Sequence, residues 1–279
     1  MILKYNDYKL NNFIVFERVS FAPPFKPSVT YDKEACFIYS LHGNSISYGG
    51  VEKDVIDSGD GILMKCGSFI NSWQNKMAGS PCEIIAIHIT PVILNQIYDD
   101  QVPDFLKLGR LKSKKIFQRV PQTTVIDEFI KGLIFYFDNP ELINKELMML
   151  KIKELILLLY NIDYENIREL LSSLFTPVDH AFKSIIEAHL YEELEIADYA
   201  ALTSTSLSTF KRKFKKTFNL PPAHFIINKR LEKAKSLLKK TRLRITEICF
   251  DCGFKDLSTF SRSFTKKYGL SPSAYRNTQ

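Results

Sequence analysis

LSTFKRKFKKTF, from Leu207 to Phe218, and LSTFSRSFTKKY, from Leu257 to Tyr268, repeat nearly the same phrase fifty positions apart. Aligned at that offset, Phe210 matches Phe260, Arg212 matches Arg262, Phe214 matches Phe264, Lys216 matches Lys266 and Phe218 matches Tyr268. The correspondence continues through Leu220 with Leu270, Pro222 with Pro272 and Phe225 with Tyr275. The segment is an internal duplication. Steps of three and four residues place Leu207, Phe210, Phe214 and Phe218 on one side of a helix, with Ser208, Lys211, Arg212 and Lys215 opposite. Leu257, Phe260, Phe264 and Tyr268 repeat the apolar stripe, and Ser258, Ser261, Arg262 and Thr265 repeat the polar face.

A shorter apolar pattern precedes each copy: Ile196, Tyr199, Ala200 and Leu202 before the first, and Ile245, Ile248, Cys249 and Cys252 before the second. A tight connection comes next in each case, in which Ser206 and Asp256 are suitable helix N-caps. Short helix, tight turn and longer polar-faced helix make a helix-turn-helix, whose second helix enters the DNA major groove. Between the copies, Pro221 to Thr241 predicts a helix of about 20 residues, hence about 30 Å long, close to the roughly 34 Å between successive major-groove faces on one side of B-DNA. The duplication therefore predicts two recognition helices on a stiff connector.

ITEICFDCGFKDLSTFSRSFTKKYGLSPSAYR, from Ile245 to Arg276, resembles the DNA-binding signature of the AraC/XylS family of bacterial transcription regulators at Ile245, Ile248, Gly253, Phe254, Phe260, Arg262, Phe264, Gly269, Ser271, Pro272, Tyr275 and Arg276. Cys249 departs from the usual alanine, and in the first copy Ser204 stands where glycine is common. The resemblance spans Val178 to Arg276. It implies base contacts from Ser208, Lys211 and Arg212 in the first reader and from Ser258, Thr259 and Arg262 in the second, with Leu257 able to meet a thymine methyl if it is exposed. Arginine donates twice to guanine, and hydroxyls accept or donate. Lys213, Lys215, Lys216, Lys266 and Lys267 are assigned to phosphates, which orient without reading sequence.

Charge is divided along the chain in the same way. The net charge is +7, yet residues 178–279 carry 19 Lys/Arg against 10 Asp/Glu, and residues 1–177 carry 19 against 21. One domain is thus suited to a polyanion and the other is not. No run approaches the roughly 20 apolar residues of a membrane span, and the N-terminus lacks a signal-peptide pattern, which together predict a cytoplasmic protein without a membrane partner. Five cysteines, an odd number, fit reduced thiols rather than a disulfide framework. Cys249-Phe-Asp-Cys252 falls on the inward face of a short helix and reads as core packing. Cys82, the one cysteine that prompts thought of a DNA-repair alkyl acceptor, lacks the neighbouring His and Arg of that chemistry.

From Ala35 to Ile89, apolar runs of strand length alternate with turn residues, predicting an antiparallel sheet or small barrel. The stretch DSGDGILMKCGSF, from Asp57 to Phe69, resembles the cupin-type regulatory domain of many AraC-type proteins. His42 and His88 stand apart from other ligand residues, so no metal and no cofactor are expected. Phe37, Tyr39, Tyr48 and Trp73 are candidates to line an apolar effector pocket, the alternative being a filled core. After Pro91 the pattern is helical. In residues 144–161, Met148, Ile152, Leu155 and Leu159 form one stripe while Leu150, Leu157 and Leu158 fall outside it; the stripe is taken as a homodimer contact, the alternative being a helix buried within its own subunit.

The fold class expected is α+β: an N-terminal cupin-like barrel or sheet with dimerisation helices over 1–165, a linker over 166–177, and an all-α domain with two helix-turn-helix units over 178–279. The function expected is sequence-specific transcription regulation, more often activation, with double-stranded DNA and RNA polymerase as partners and a small-molecule effector or regulatory protein acting on the N-terminal domain. Two rivals stay open at this point: an enzyme in residues 1–177 docked on DNA by a basic module, and a nonspecific nucleic-acid-binding protein.

Overall fold

The computed structural model describes residues 1–75, 77, 79–99, 101, 103, 106, 115–162, 166–174 and 180–277. The chain forms two compact units, 1–179 and 180–279.

Among the described residues of the first unit, ten strands build two antiparallel sheets. They are β1 (Ile2–Leu10), β2 (Phe13–Phe21), β3 (Ser28–Tyr31), β4 (Ala35–His42), β5 (Asn44–Gly49), β6 (Glu52–Ile56), β7 (Gly61–Met64), β8 (Gly67–Gln74), β9 (Cys82–Ile89) and β10 (Phe117–Val120). The larger sheet has the order β1-β2-β9-β4-β7-β10 and the smaller β3-β8-β5-β6; among the described residues neither closes into a barrel. The same unit also holds helices α1 (Pro91–Ile97), α2 (Thr124–Asp138), α3 (Lys145–Ile162) and α4 (Asn166–Leu171), with a short 3-10 turn at Pro140–Leu142 between α2 and α3.

Strand alternation explains why β4 and β9 are apolar on both faces. Phe37, Tyr39, Ile85, Ile87 and Ile89 point into one core, shared with α1 to α4. Cys36, Ile38, Cys82 and Ala86 point into a second, shared with Phe69 and Trp73 of β8. The large sheet is thus the middle layer between helices and the small sheet. A charged cluster sits within it: His88 Nε2 is 2.9 Å from Glu17 Oε2, and its Nδ1 meets Glu34 Oε1. Burial works against the imidazolium, but the hydrogen bonds with Glu17 and Glu34 and the charge of Glu17 outweigh it and push His88 up to about 11.

Three expectations are corrected here. Phe37, Tyr39, Tyr48 and Trp73 do not line a common pocket: Phe37 and Tyr39 are packed in the helix-side core and Trp73 in the inter-sheet core. The Tyr39 hydroxyl is held by Asp127 Oδ1 at 2.6 Å, and Lys53 lies over the buried Tyr48 ring. Met148, Ile152, Leu155 and Leu159 are buried in their own unit, so they cannot meet a second subunit, whereas Leu150 and Leu157 on the same helix are 59% and 41% exposed. Residues 166–174 are no linker: Ile167, Leu170, Leu171 and Leu174 are buried in the helix-side core, and the Leu174 carbonyl accepts the Cys66 N–H at 2.9 Å. The remainder of the expected linker, 175–177, lies outside the described residues.

The second unit is helical among its described residues: α5 (Phe182–Ala188), α6 (Ile196–Leu202), α7 (Leu207–Phe218), α8 (Pro222–Lys240), α9 (Ile245–Asp251), α10 (Leu257–Tyr268) and α11 (Pro272–Asn277). Duplication shows in its packing. Phe214 lies 4.5 Å from Phe218 and 5.5 Å from Phe225 between ring centroids, and Phe264 lies 4.7 Å from Tyr268 and 5.5 Å from Tyr275. Pro222 and Pro272 open the helix after each copy, where a missing N–H costs nothing.

Candidate nucleic-acid interface

Helices α7 and α10 are bounded by the same devices. The Ser206 hydroxyl accepts the Thr209 N–H at 3.3 Å, and Asp256 Oδ1 accepts the Thr259 N–H at 2.7 Å. The Thr259 N–H and hydroxyl, with the Ser258 N–H, hold the Asp256 carboxyl below its ordinary range, and Arg262 adds to the effect. At the other end Asn219 and Gly269 adopt left-handed conformations, and their N–H groups close on the carbonyls of Lys215 and Thr265. The turn before α10 depends on Gly253 at φ +79°; a Cβ there would stand 2.7 Å from the Tyr191 carbonyl oxygen. The turn before α7 places Ser204 at φ 51°, a conformation disfavoured for a side-chain-bearing residue.

Phe210, Phe214, Phe260 and Phe264 are fully buried, which orients each helix about its axis. Ser208, Lys211, Arg212, Lys215 and Lys216 on α7, and Ser258, Thr259, Arg262 and Lys266 on α10, are open to solvent. Leu207 and Leu257 depart from the stripe reading: each is the first residue of its helix and is 43% or 39% exposed. Leu257 therefore stands beside Ser258 on the open surface, the condition set for its contact with a thymine methyl. A groove of about 770 Å³ flanks α7, with Leu207, Lys211 and Lys215 on one wall and Ile226 and Ile227 of α8 on the other.

The five lysines assigned to phosphates divide. Lys213 Nζ lies 4.6 Å from the centroid of the Phe182 ring, and Lys267 Nζ lies 3.2 Å from the Asn228 carbonyl and 3.4 Å from Glu232 Oε1. The side chains of Lys215, Lys216 and Lys266 make no hydrogen bond or ion pair among the described residues and are exposed. Arg230 of α8 passed unnoticed in the sequence, where it reads as one more cation on a basic helix; in the fold it is buried and donates to backbone carbonyls of both repeats. The only cue was its place between Ile226 and Ala234 on the apolar side of the helix. Among the described residues no cluster of three His, Cys, Asp or Glu is arranged for a metal, and no helix is long and apolar enough to cross a membrane.

Comparison with known proteins assigns both units. Residues 199–278 match a helix-turn-helix domain family, and residues 35–172 match the ExsA N-terminal regulatory domain family. The chain belongs to the AraC/XylS family of transcription regulators. It is similar to two HTH-type transcriptional regulators of Bacillus subtilis. With YobQ it shares 37% identity over 36% of this chain and 42% of the relative, and with YdeC 24% over 87% and 84%. It is 27% identical to the HTH-type transcriptional activator RhaS of Escherichia coli over 64% of this chain and 60% of the relative. The chain thus spans less than two thirds of YobQ and of RhaS and most of YdeC.

Proposed function

We propose that the chain is a sequence-specific transcription regulator, more precisely an activator, that reads two adjacent major-groove segments through α7 and α10 under the control of its N-terminal unit. The observation that carries this is the duplicated reader: two capped helices, each fixed by two buried phenylalanines and each opening a serine and an arginine to the outside. Arg212 and Arg262 can each donate two hydrogen bonds to guanine, with Ser208, Lys211, Ser258, Thr259 and Leu257 completing the base-facing surfaces. Lys215, Lys216 and Lys266 would neutralise phosphates. A protein of this kind works in the cytoplasm beside RNA polymerase. It performs no catalysis. The N-terminal unit answers to a small-molecule effector or a regulatory protein, and the exposed pair Leu150 and Leu157, spaced one heptad apart on α3, offers the contact for a homodimer.

Competition binding tests the reading. A duplex selected by the chain from random DNA should be preferred over its scrambled counterpart by about 10³ or more. Arg262→Ala should weaken that site by about 1–3 kcal/mol and relax base preference in one segment. Equal binding of selected and scrambled duplexes would leave only nonspecific association with nucleic acid.

A further inference from the structure

Arg230 is 9% exposed, and its charge is met by backbone dipoles. Nε donates to the Leu190 carbonyl at 2.9 Å, Nη1 to the Gly253 carbonyl at 2.6 Å, and Nη2 to the Glu192 carbonyl. Leu190 and Glu192 lie in the turn after α5, at the entrance to the first helix-turn-helix. Gly253 is the turn residue of the second. Both sets of carbonyls lie just past the C-terminal ends of helices, where partial negative charge accumulates and a cation is favoured. A single guanidinium therefore clasps both repeats from the helix that joins them.

Neighbouring contacts tie the same two segments together. Lys233, one turn further along α8, donates to the Asp251 carbonyl at 2.7 Å and lies 4.2 Å from the centroid of the Tyr191 ring. The Gly253 backbone approaches the Tyr191 carbonyl so closely that only glycine fits. On the surface, Lys255 Nζ meets Glu195 Oε1 at 2.7 Å. Segment 190–195 of one repeat and segment 251–255 of the other thus touch directly, with Arg230 at the centre. A planar fork with donors on three separate nitrogens spans all three carbonyls, whereas a lysine offers its donors from a single nitrogen.

We propose that Arg230 is a positioning residue that fixes the spacing between the two recognition helices, so that the chain reads the two segments of its site as one rigid template. The inference rests on the two-segment reading given above. A rigid reader is sensitive to spacing: one inserted base pair displaces the second segment by about 3.4 Å and turns it by about 35° around the duplex. A reader hinged at α8 adapts to that change.

The test uses the full chain and a duplex it selects from random DNA, its segments mapped by footprinting. Affinity is measured for three duplexes: the intact site, the site with one segment scrambled, and the site with one base pair inserted between segments. For the wild type the insertion should cost about tenfold or more, comparable to a mismatch. Arg230→Met and Arg230→Lys should bind the intact site about tenfold more weakly, bind the one-segment duplex as the wild type does, and lose most of the insertion penalty. Helical circular dichroism and the unfolding midpoint identify a variant that has simply failed to fold, and Arg230→Lys, which keeps the stem and charge, guards against that outcome. Equal weakening on all three duplexes, or an undiminished insertion penalty in folded variants, overturns the role of Arg230. A wild-type footprint with only one segment overturns the two-segment reading itself, and is recognised before any variant is measured.

Discussion

Removing positive charge from the two readers separates lysines that reach DNA from those already engaged within the fold. Each phosphate neutralised by a cation releases counterions, so the logarithm of the binding constant falls against the logarithm of salt with a slope of about −0.9 per contact. Over a fourfold rise in salt, one contact is worth about 3.5-fold in affinity. The side chains of Lys215, Lys216 and Lys266 are exposed and make no hydrogen bond or ion pair among the described residues, so converting all three to alanine should flatten the slope by about 2.7 and reduce salt sensitivity about 40-fold over that range. Lys213 packs over Phe182, and Lys267 is held by Asn228 and Glu232. Their double alanine variant should change the slope by well under one contact, about 0.5 or less. Fluorescence anisotropy with a labelled cognate duplex, titrated at several salt concentrations, reads the slope directly. Equal flattening by the Lys213 and Lys267 pair and by the exposed three, or an unchanged slope in the triple variant, would refute this division of the lysines.

Three further outcomes are expected. Leu150→Glu or Leu157→Glu should convert a dimer to monomer in sedimentation velocity without unfolding it, whereas Leu155→Glu, which buries a charge in the helix-side core, should cost about 3 kcal/mol or more and unfold the N-terminal unit; dimers persisting in both exposed-site variants would exclude this face. Ser204→Gly should relieve the left-handed backbone at φ 51° and stabilise the C-terminal unit by about 0.5–1 kcal/mol, raising its midpoint by about 2–8 °C in calorimetry; a lowered midpoint would show that the serine side chain matters more than the strain. His88, raised in the folded state, stabilises the N-terminal unit fully below its ordinary 6.5 and progressively less as pH climbs to about 11, while Glu17, held low by His88 and Tyr5 against the effect of burial, contributes above 4.5 and is lost in acid. Thermal scans from pH 6.5 upward should therefore fall more steeply for the wild type than for His88→Gln; parallel curves would remove the charged cluster as the cause.

The readers were legible because two copies of one pattern had to be explained by one geometry. A run of Phe210, Phe214 and Phe218 alone is an ordinary amphipathic helix, but its return as Phe260, Phe264 and Tyr268, with Phe225 and Tyr275 at the same offset, fixes both the reader and the start of the helix after it. Where pattern gave no direction, sequence reading faltered. Helix α3 is apolar on two sides, and composition does not say which is inward. The fold buries the stripe spaced by three and four residues and leaves the heptad pair, Leu150 and Leu157, outside. Phe37 and Tyr39 on β4 suggest a pocket lining, yet β4 belongs to the middle layer of a three-layer unit and needs apolar residues on both faces whether or not anything binds. Strand β1 escaped notice for the opposite reason: ILKYNDYKL is an edge strand, mostly exposed, with little apolar alternation to betray it. Arg230 was invisible because a clasp on carbonyls leaves no acidic partner in the sequence to mark it.

All five cysteines are buried as free thiols, three in the N-terminal unit and two in the C-terminal one. Burial pushes Cys252 up to about 11 and holds the Cys36 thiol above its ordinary value, so neither is a ready thiolate. Alkylating reagents should accordingly mark each half only when it opens, giving the chain two built-in clocks of local unfolding. Timing one with the other, with and without DNA, would reveal whether an event in the sensor loosens the reader before it lets go.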